Sequence, residues 1–277
     1  MLKNDDAFHV HLVSDSTGET VAAVARACLV QFTEIRPVQH LWYLVRTPGQ
    51  LERLLEGIAR DPGIVLFTVV DAAIRRRLEE GCRDLGIPCV AVLDPVMTAL
   101  ALTLGKSGTG RPGVQHVLDA DYYGRMEAIE FSIDHDDGQR LEELGQADVV
   151  LVGVSRTSKT PTCTYLSNRG LKAANIPLVG GIAPPAELLA LQGPVIVGLT
   201  REPKSLTEIR RNRLQTMQDD ASDADYAHFE AVAEEVAEAR RLFARQGWPV
   251  IDMTRRSIEE AAAAIIQMVE AKGKVIP

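Results

Sequence analysis

Along the N-terminal part of the chain, apolar residues fall into short runs separated by longer amphipathic stretches. The runs His9–Ser14, Gln39–Val45, Ile64–Val70 and Cys89–Leu93 have the length and β-branched content of strands. Between them, Thr17–Phe32, Pro48–Arg60 and Asp71–Leu85 repeat apolar residues at helical spacing. Strands that are apolar on both faces, alternating with helices, predict a parallel sheet covered by helices. The alternation breaks at the glycine-rich, cationic stretch Gly105–Gly113 and a mixed segment running from Tyr122 to Gly138. It resumes with strands at Asp148–Val154, Pro177–Gly180, Val195–Leu199 and Pro249–Met253. Helical patterns follow at Thr160–Leu171, Ser205–Met217, Asp225–Gln246 and Ser257–Ala271, with a shorter one at Gln139–Leu144. Ser257 with Glu260 three residues on predicts a capping box for the last helix. The expected fold is therefore α/β, with two α/β units of mostly parallel sheets. Residues 1–110 form the first, 111–144 connect, and 145–277 form a P-loop kinase-like domain. The sequence shows no internal repeat, although both halves follow one strand–helix scheme.

Composition narrows the partners. The 277 residues are 46% hydrophobic and 25% charged, as in ordinary globular proteins. A net charge of −8 argues against nonspecific nucleic-acid binding, which needs a basic surface. The four cysteines, Cys28, Cys82, Cys89 and Cys163, form no C-x-x-C pair and no zinc spacing, so reduced, mostly buried thiols are expected. Met1–Phe8 lacks the apolar core of a signal peptide. No apolar run approaches the roughly 18 residues that span a bilayer. A cytoplasmic protein with no membrane association is expected.

The strongest chemical signal is the segment Val149–Thr160, which reads as a buried strand, a turn and a helix start. Against G-x-x-x-x-G-K-[ST], Gly153 takes the first position and Lys159 and Thr160 the last two. Val154, Ser155, Arg156 and Thr157 fill the middle, and Ser158 stands where the second glycine belongs. In such loops backbone N–H groups and a helix N-terminus converge on phosphate oxygens. Lys159 would neutralise the terminal phosphates, Thr160 would ligate Mg²⁺ and Arg156 adds a cation. Pro161 is tolerated in the first helical turn. Gly105-Lys106-Ser107 repeats the motif's ending, but Leu100 holds the first glycine position and a helical stretch precedes it, so it reads as a basic flexible loop.

Other candidates are less sharply defined. His135-Asp136-Asp137-Gly138 places an imidazole and two carboxylates in one turn, suited to proton transfer or metal support, or to a solvated turn. Asp15 follows the first strand, where it either caps a helix or faces a site. Arg210, Arg211 and Arg213 share a helix and either clamp phosphate, meet an acidic protein partner or face solvent. His9 and His11 share a strand face without a third ligand in view, and Trp42 and Trp248 suit packing. No N-K-x-D, H-R-D or D-F-G motif is present, which argues against a GTPase or an ordinary protein kinase. A small-molecule P-loop kinase and a non-catalytic nucleotide sensor stay open on spacing alone.

Four segments together resemble the bacterial and plant pyruvate, phosphate dikinase regulatory proteins and the related phosphoenolpyruvate synthase regulatory proteins. They are HVHLVSDSTGETV, PGVQHVLDADYYGRMEAIEFSIDHDDG, DVVLVGVSRTSKTPTCTYLSNRGLKAANIPLV and VGLTREPKSLTEIRRNRL. The resemblance spans nearly the whole chain, and serine before the lysine fits that family's loop. It implies a bifunctional regulator that uses ADP to phosphorylate an active-site threonine of its target. The same protein would reverse this with inorganic phosphate, releasing pyrophosphate. By resemblance Gly153–Thr160 is the ADP loop, with Lys159 and Thr160 at the β-phosphate and Mg²⁺. His135, Asp136 and Asp137 are candidates for base and metal support. The Ser14–Gly18 segment and Ser158 lie closer to the dikinase regulators, so the dikinase is the expected partner and the synthase the alternative. A homodimer is also expected, because two α/β units expose apolar surface.

Overall fold

The computed structural model describes residues 8–32, 36–113, 120–217 and 226–274. The chain divides into two compact units, Met1–Val117 and Leu118–Pro277. The first runs β1 (His9–Val13), α1 (Glu19–Leu29), β2 (Val38–Trp42), α2 (Pro48–Arg60), β3 (Gly63–Phe67), α3 (Ala72–Asp84), β4 (Cys89–Ala91) and α4 (Asp94–Leu104). Its four strands are parallel in the order β2-β1-β3-β4. Local chemistry sets the helix starts. Thr47 and Gln50 form a capping box in front of α2, with Pro48 in the first turn, and the Asp71 carboxylate accepts from two N–H groups of α3. Leu51, Leu54 and Ile58 of α2, with Ile74 and Leu78 of α3, pack on Val13, Val65 and Phe67. Val21 and Ala25 of α1 cover Val10 and Leu12 on the other face.

The second unit begins with α5 (Ala120–Asp134) and two 3-10 turns, Asp136–Gly138 and Leu141–Gln146. Then follow β5 (Val149–Val154), α6 (Lys159–Ser167), β6 (Ala173–Leu178), α7 (Ala186–Leu189), β7 (Val195–Thr200), α8 (Pro203–Met217), α9 (Phe229–Gln246), β8 (Val250–Asp252) and α10 (Ile258–Ala271). The strands are again parallel, in the order β6-β5-β7-β8. Val232, Val236 and Phe243 of α9 cover Val150, Val152 and Ile196 on one face. Cys163 and Leu166 of α6, with Ala262 and Ile265 of α10, cover Leu151, Val197 and Leu199 on the other. The central strands β5 and β7 are buried along their whole length. Both sheets are thus parallel with helices on both faces, the α/β class expected.

Several elements differ from the pattern-based reading. β6 starts at Ala173, not Pro177, because Ala-Ala-Asn carries no β-branched signature. Pro177 lies within it and is tolerated because β6 is an edge strand. The helix expected at Gln139–Leu144 is a 3-10 turn at Leu141–Gln146. The segment expected to connect the units contributes α5, which packs on α6 and β6. Its buried stripe of Ala128, Phe131 and Ser132, continued by His135, is half polar and so escapes a hydrophobic pattern. Asp225, expected to open α9, lies outside the described residues. The capping box at Ser257 and Glu260 forms as expected. All four cysteines are free; Cys82 and Cys163 are buried, whereas Cys28 is exposed.

Candidate functional site

Strand order locates the crevice in the second unit. The chain passes from β5 to β6 on one side and then to β7 on the other, so the direction of winding reverses between β5 and β7. Open parallel sheets gather ligands at the carboxyl end of such a switch point. The segment Gly153–Thr160 lies there, joining β5 to α6. Glycine is required at 153, since a Cβ would fall 2.5 Å from the Leu199 carbonyl oxygen and 2.8 Å from Thr157 Oγ1. Arg156 and Ser158 both hold left-handed backbone, at φ 70° and 68°. Ser158 therefore takes the conformation that glycine would supply, at a cost of roughly 1–2 kcal/mol. Left-handed residues alternating with right-handed ones are the backbone pattern of anion-binding nests, and Arg156 and Ser158 supply two left-handed positions two residues apart. Thr157 fastens the turn by donating from Oγ1 to the Val154 carbonyl at 2.9 Å.

Lys159 opens α6 and is buried, its Nζ donating to the Val154 carbonyl at 3.1 Å. Burial lowers its pKa from 10.5 to about 8, while the carboxylates of Asp137 and Asp136 act in the opposite sense. Among the described residues Lys159 has no ion-pair partner, and a buried ammonium so placed is costly, which favours a bound anion. Thr160 Oγ1 donates to Asp136 Oδ1 at 3.0 Å. Asn175, buried on β6, donates to the same Asp136 oxygen and, at 3.3 Å, to Thr160 Oγ1. Its own carbonyl accepts from the Asp137 N–H at 3.3 Å, and its backbone N–H donates to the His135 carbonyl at 3.2 Å. Asn175 thereby pins the turn carrying Asp136 and Asp137 against the loop. It was not among the expected site residues; a lone amide in a buried apolar strand was the available signal.

Arg210 and Tyr226 support the loop from behind. The Arg210 guanidinium is fully buried and reaches the Ser155 carbonyl at 3.3 Å, the Tyr226 carbonyl at 3.0 Å and Glu235 at 2.7 Å. It also lies 4.7 Å from the Tyr226 ring centroid. The Tyr226 hydroxyl meets Ser155 Oγ at 3.2 Å and accepts from Arg156 Nε at 3.4 Å. Burial opposes ionisation of this phenol, but its hydrogen bonds with Ser155 and Arg156 and the field of both arginines bring its pKa below the usual value. Arg210 is thus a buried brace and not a solvent-facing clamp, whereas Arg211 and Arg213 are exposed. A cleft of about 670 Å³ opens beside Val154, between the loop after β6 and α9.

The remaining candidates occupy different surroundings. His135 is buried, stacked on Phe131 with centroids 3.8 Å apart. Its Nδ1 donates to the Phe131 carbonyl at 2.8 Å and its Nε2 faces Glu143 at 3.8 Å, so its ring is turned towards α5 and the 3-10 turn at Leu141–Gln146. Asp15 does not cap α1; its carboxylate accepts from the Val70 and Asp71 N–H groups at 2.7 and 3.3 Å, tying the loops after β1 and β3. Gly105 ends α4 in left-handed backbone, so Gly105-Lys106-Ser107 follows a helix. His11 accepts from Trp42 Nε1 at 3.1 Å, and His9 Nδ1 lies 2.9 Å from His40 Nε2. Among the described residues no group of three or more His, Cys, Asp or Glu is placed to hold a metal ion, and no helix is long and apolar enough to cross a membrane.

The family model described as kinase/pyrophosphorylase matches residues 10–266. A protein of Rhodospirillum rubrum named "Putative pyruvate, phosphate dikinase regulatory protein" is 62% identical over 259 residues, 94% of each chain. Proteins of the same name from Paramagnetospirillum magneticum and Caulobacter vibrioides are 59% and 55% identical. Those alignments cover 95% and 97% of this chain and 84% and 85% of the relatives.

Proposed function

The chain belongs to the kinase/pyrophosphorylase family, and from that premise we propose a bifunctional protein serine/threonine kinase and phosphorylase that regulates pyruvate, phosphate dikinase. ADP is the phosphoryl donor and an active-site threonine of the dikinase the acceptor. The observation that carries the reading is the loop Gly153–Thr160, closed onto Asp136 by Thr160 and Asn175. Its left-handed turns at Arg156 and Ser158, the α6 N-terminus and buried Lys159 suit a diphosphate.

In the inactivating reaction the threonine oxygen attacks the β-phosphorus of ADP. A threonine O–P bond forms, the bond from the β-phosphorus to the bridging oxygen breaks, and AMP leaves. Asp137 is assigned to accept the threonine proton, because it is exposed and close enough to Lys159 to sustain that residue's charge. In the reactivating reaction an oxygen of inorganic phosphate attacks the phosphothreonine. The threonine oxygen departs and takes up a proton, and pyrophosphate forms. Pyrophosphate has the diphosphate core of ADP, so one cradle serves both directions.

Thr160 Oγ1 and Asp136 Oδ1 are hard oxygen donors 3.0 Å apart, and they suit Mg²⁺, which prefers few protein ligands and shared phosphate oxygens. They would hold the ion, which when bound neutralises diphosphate charge. His135 then serves by position, its carbonyl anchoring β6. The test is label transfer from β-labelled ADP to purified dikinase by Lys159→Ala. Loss of transfer by at least about a hundredfold is expected; transfer at the wild-type rate would refute the loop's role.

A further inference from the structure

Arg201 is the first residue beyond β7, on the other side of the switch point from the loop. β5 and β7 pair with Val152 opposite Gly198, and Gly153 abuts the Leu199 carbonyl. Continuing that register, the chain after Thr200 arrives beside the loop as it leaves β5. There Arg201 Nη2 donates to Ser158 Oγ at 3.4 Å.

The surroundings of this guanidinium are unusual within the molecule. It is half-buried, and its Nε is buried with no hydrogen-bond partner among the described residues. Among the described residues no carboxylate lies within salt-bridge distance of it, whereas Arg75, Arg210 and Arg240 each have one. The adjacent polar groups are engaged elsewhere. The Thr200 hydroxyl accepts from Arg240, and Asp252 receives the Thr254 N–H and faces Arg240. Burial disfavours the charge on Arg201, only partly offset by Asp252. A partly desolvated guanidinium with donors to spare, placed against Ser158 of the loop, favours an anion. Its planar fork matches two oxygens of one phosphate, which an ammonium cannot match.

We infer that Arg201 is a catalytic residue of this site that grips peripheral phosphate oxygens of the diphosphate on the loop. The ligand class is an inorganic or nucleoside diphosphate. The inference rests on the reading of the loop given above and extends it to both reactions. When the threonine oxygen attacks ADP, or inorganic phosphate attacks phosphothreonine, charge gathers on the peripheral oxygens of the transferring phosphorus. Arg201 reaches them from the β7 side and Lys159 from α6. Neither gains nor loses a proton in the step.

The test compares full-length wild type, Arg201→Ala, Arg201→Lys and Lys159→Ala. Calorimetry measures the affinity of pyrophosphate with Mg²⁺, and label transfer and phosphorolysis give kcat and KM. Arg201→Ala is expected to lose at least about tenfold in pyrophosphate affinity and about a hundredfold in kcat in both directions. Added guanidinium ion should restore part of that kcat, which a merely structural role would not allow. Arg201→Lys keeps the charge and protects against a folding failure of the alanine variant; it should still lose at least about tenfold in kcat. Wild-type affinity and kcat in Arg201→Lys, or in a folded Arg201→Ala, would overturn the inference. Lys159→Ala separates the two levels. If it loses pyrophosphate while Arg201→Ala does not, only the inference fails. If neither loses it, the loop is not the diphosphate site and both readings fall.

Discussion

Lys159 shows how one residue trades stability for chemistry. Its pKa of about 8 in the folded chain lies below the ordinary 10.5, so the unfolded chain binds the extra proton between those values. Stability contributed at this position therefore rises as pH climbs from about 8 towards 10.5, and the charged ammonium is a burden at neutral pH. Lys159→Met, similar in volume and uncharged, is expected to raise the thermal midpoint at pH 7 by at least roughly 2 °C while abolishing ADP binding. A lower midpoint in a melting experiment would contradict the account. In the proposed function the same titration would set ligand affinity, since only the ammonium attracts phosphate. ADP affinity measured by calorimetry should fall as pH passes about 8, with a flat profile between neutral pH and pH 10 as the contrary result. Ser158 makes the complementary case. Its left-handed backbone is strained, so Ser158→Gly should be stabilising by up to about 1 kcal/mol in denaturant unfolding, with ADP affinity retained. Gly153→Ala should destabilise strongly, because its Cβ meets backbone at 2.5 Å.

At the scale of elements, the loop is held from two directions. Arg210 on α8 joins Ser155, Tyr226 and Glu235 of α9, and Asn175 on β6 joins Asp136, Asp137 and Thr160. Removing one partner of a buried charge pair costs about 3–5 kcal/mol. Arg210→Met is therefore expected to lower stability by that order and weaken ADP binding, although no Arg210 atom is assigned to the ligand. An unchanged urea midpoint would contradict this. The loop itself was readable from the sequence because strand, turn, lysine, threonine and helix are contiguous. Asn175, Arg201 and the burial of Arg210 were not, because each acts through a contact across the sheet or between helices. Which strand lies beside β5 is decided by strand order, and hydrophobic spacing does not encode it. α5 escaped for a local reason, since Ser132 and His135 occupy part of its buried stripe and blur the apolar period.

The two units of the molecule have one topology. Each has four parallel strands with the first flanked by the second and third and the fourth at the edge, although no repeat is visible in the sequence. Equivalent switch points lie after β1 and β5, yet their loops differ in chemistry. After β1, Asp15 is committed to backbone N–H groups at 70 and 71. After β5, the corresponding turn carries Arg156 and leads into the buried Lys159. The shared scaffold explains why strand–helix alternation was readable in both halves, while the differing loops explain why fold alone assigns no activity. The central claim is tested most directly by following one phosphorus atom through both reactions. The full-length chain is incubated with β-labelled ADP and purified pyruvate, phosphate dikinase, the modified residue is identified, and inorganic phosphate is then added. The account predicts label on a threonine of the dikinase, loss of dikinase activity, and then release of the label as pyrophosphate with activity restored. Label that never enters the dikinase, or that leaves it as inorganic phosphate, would contradict it.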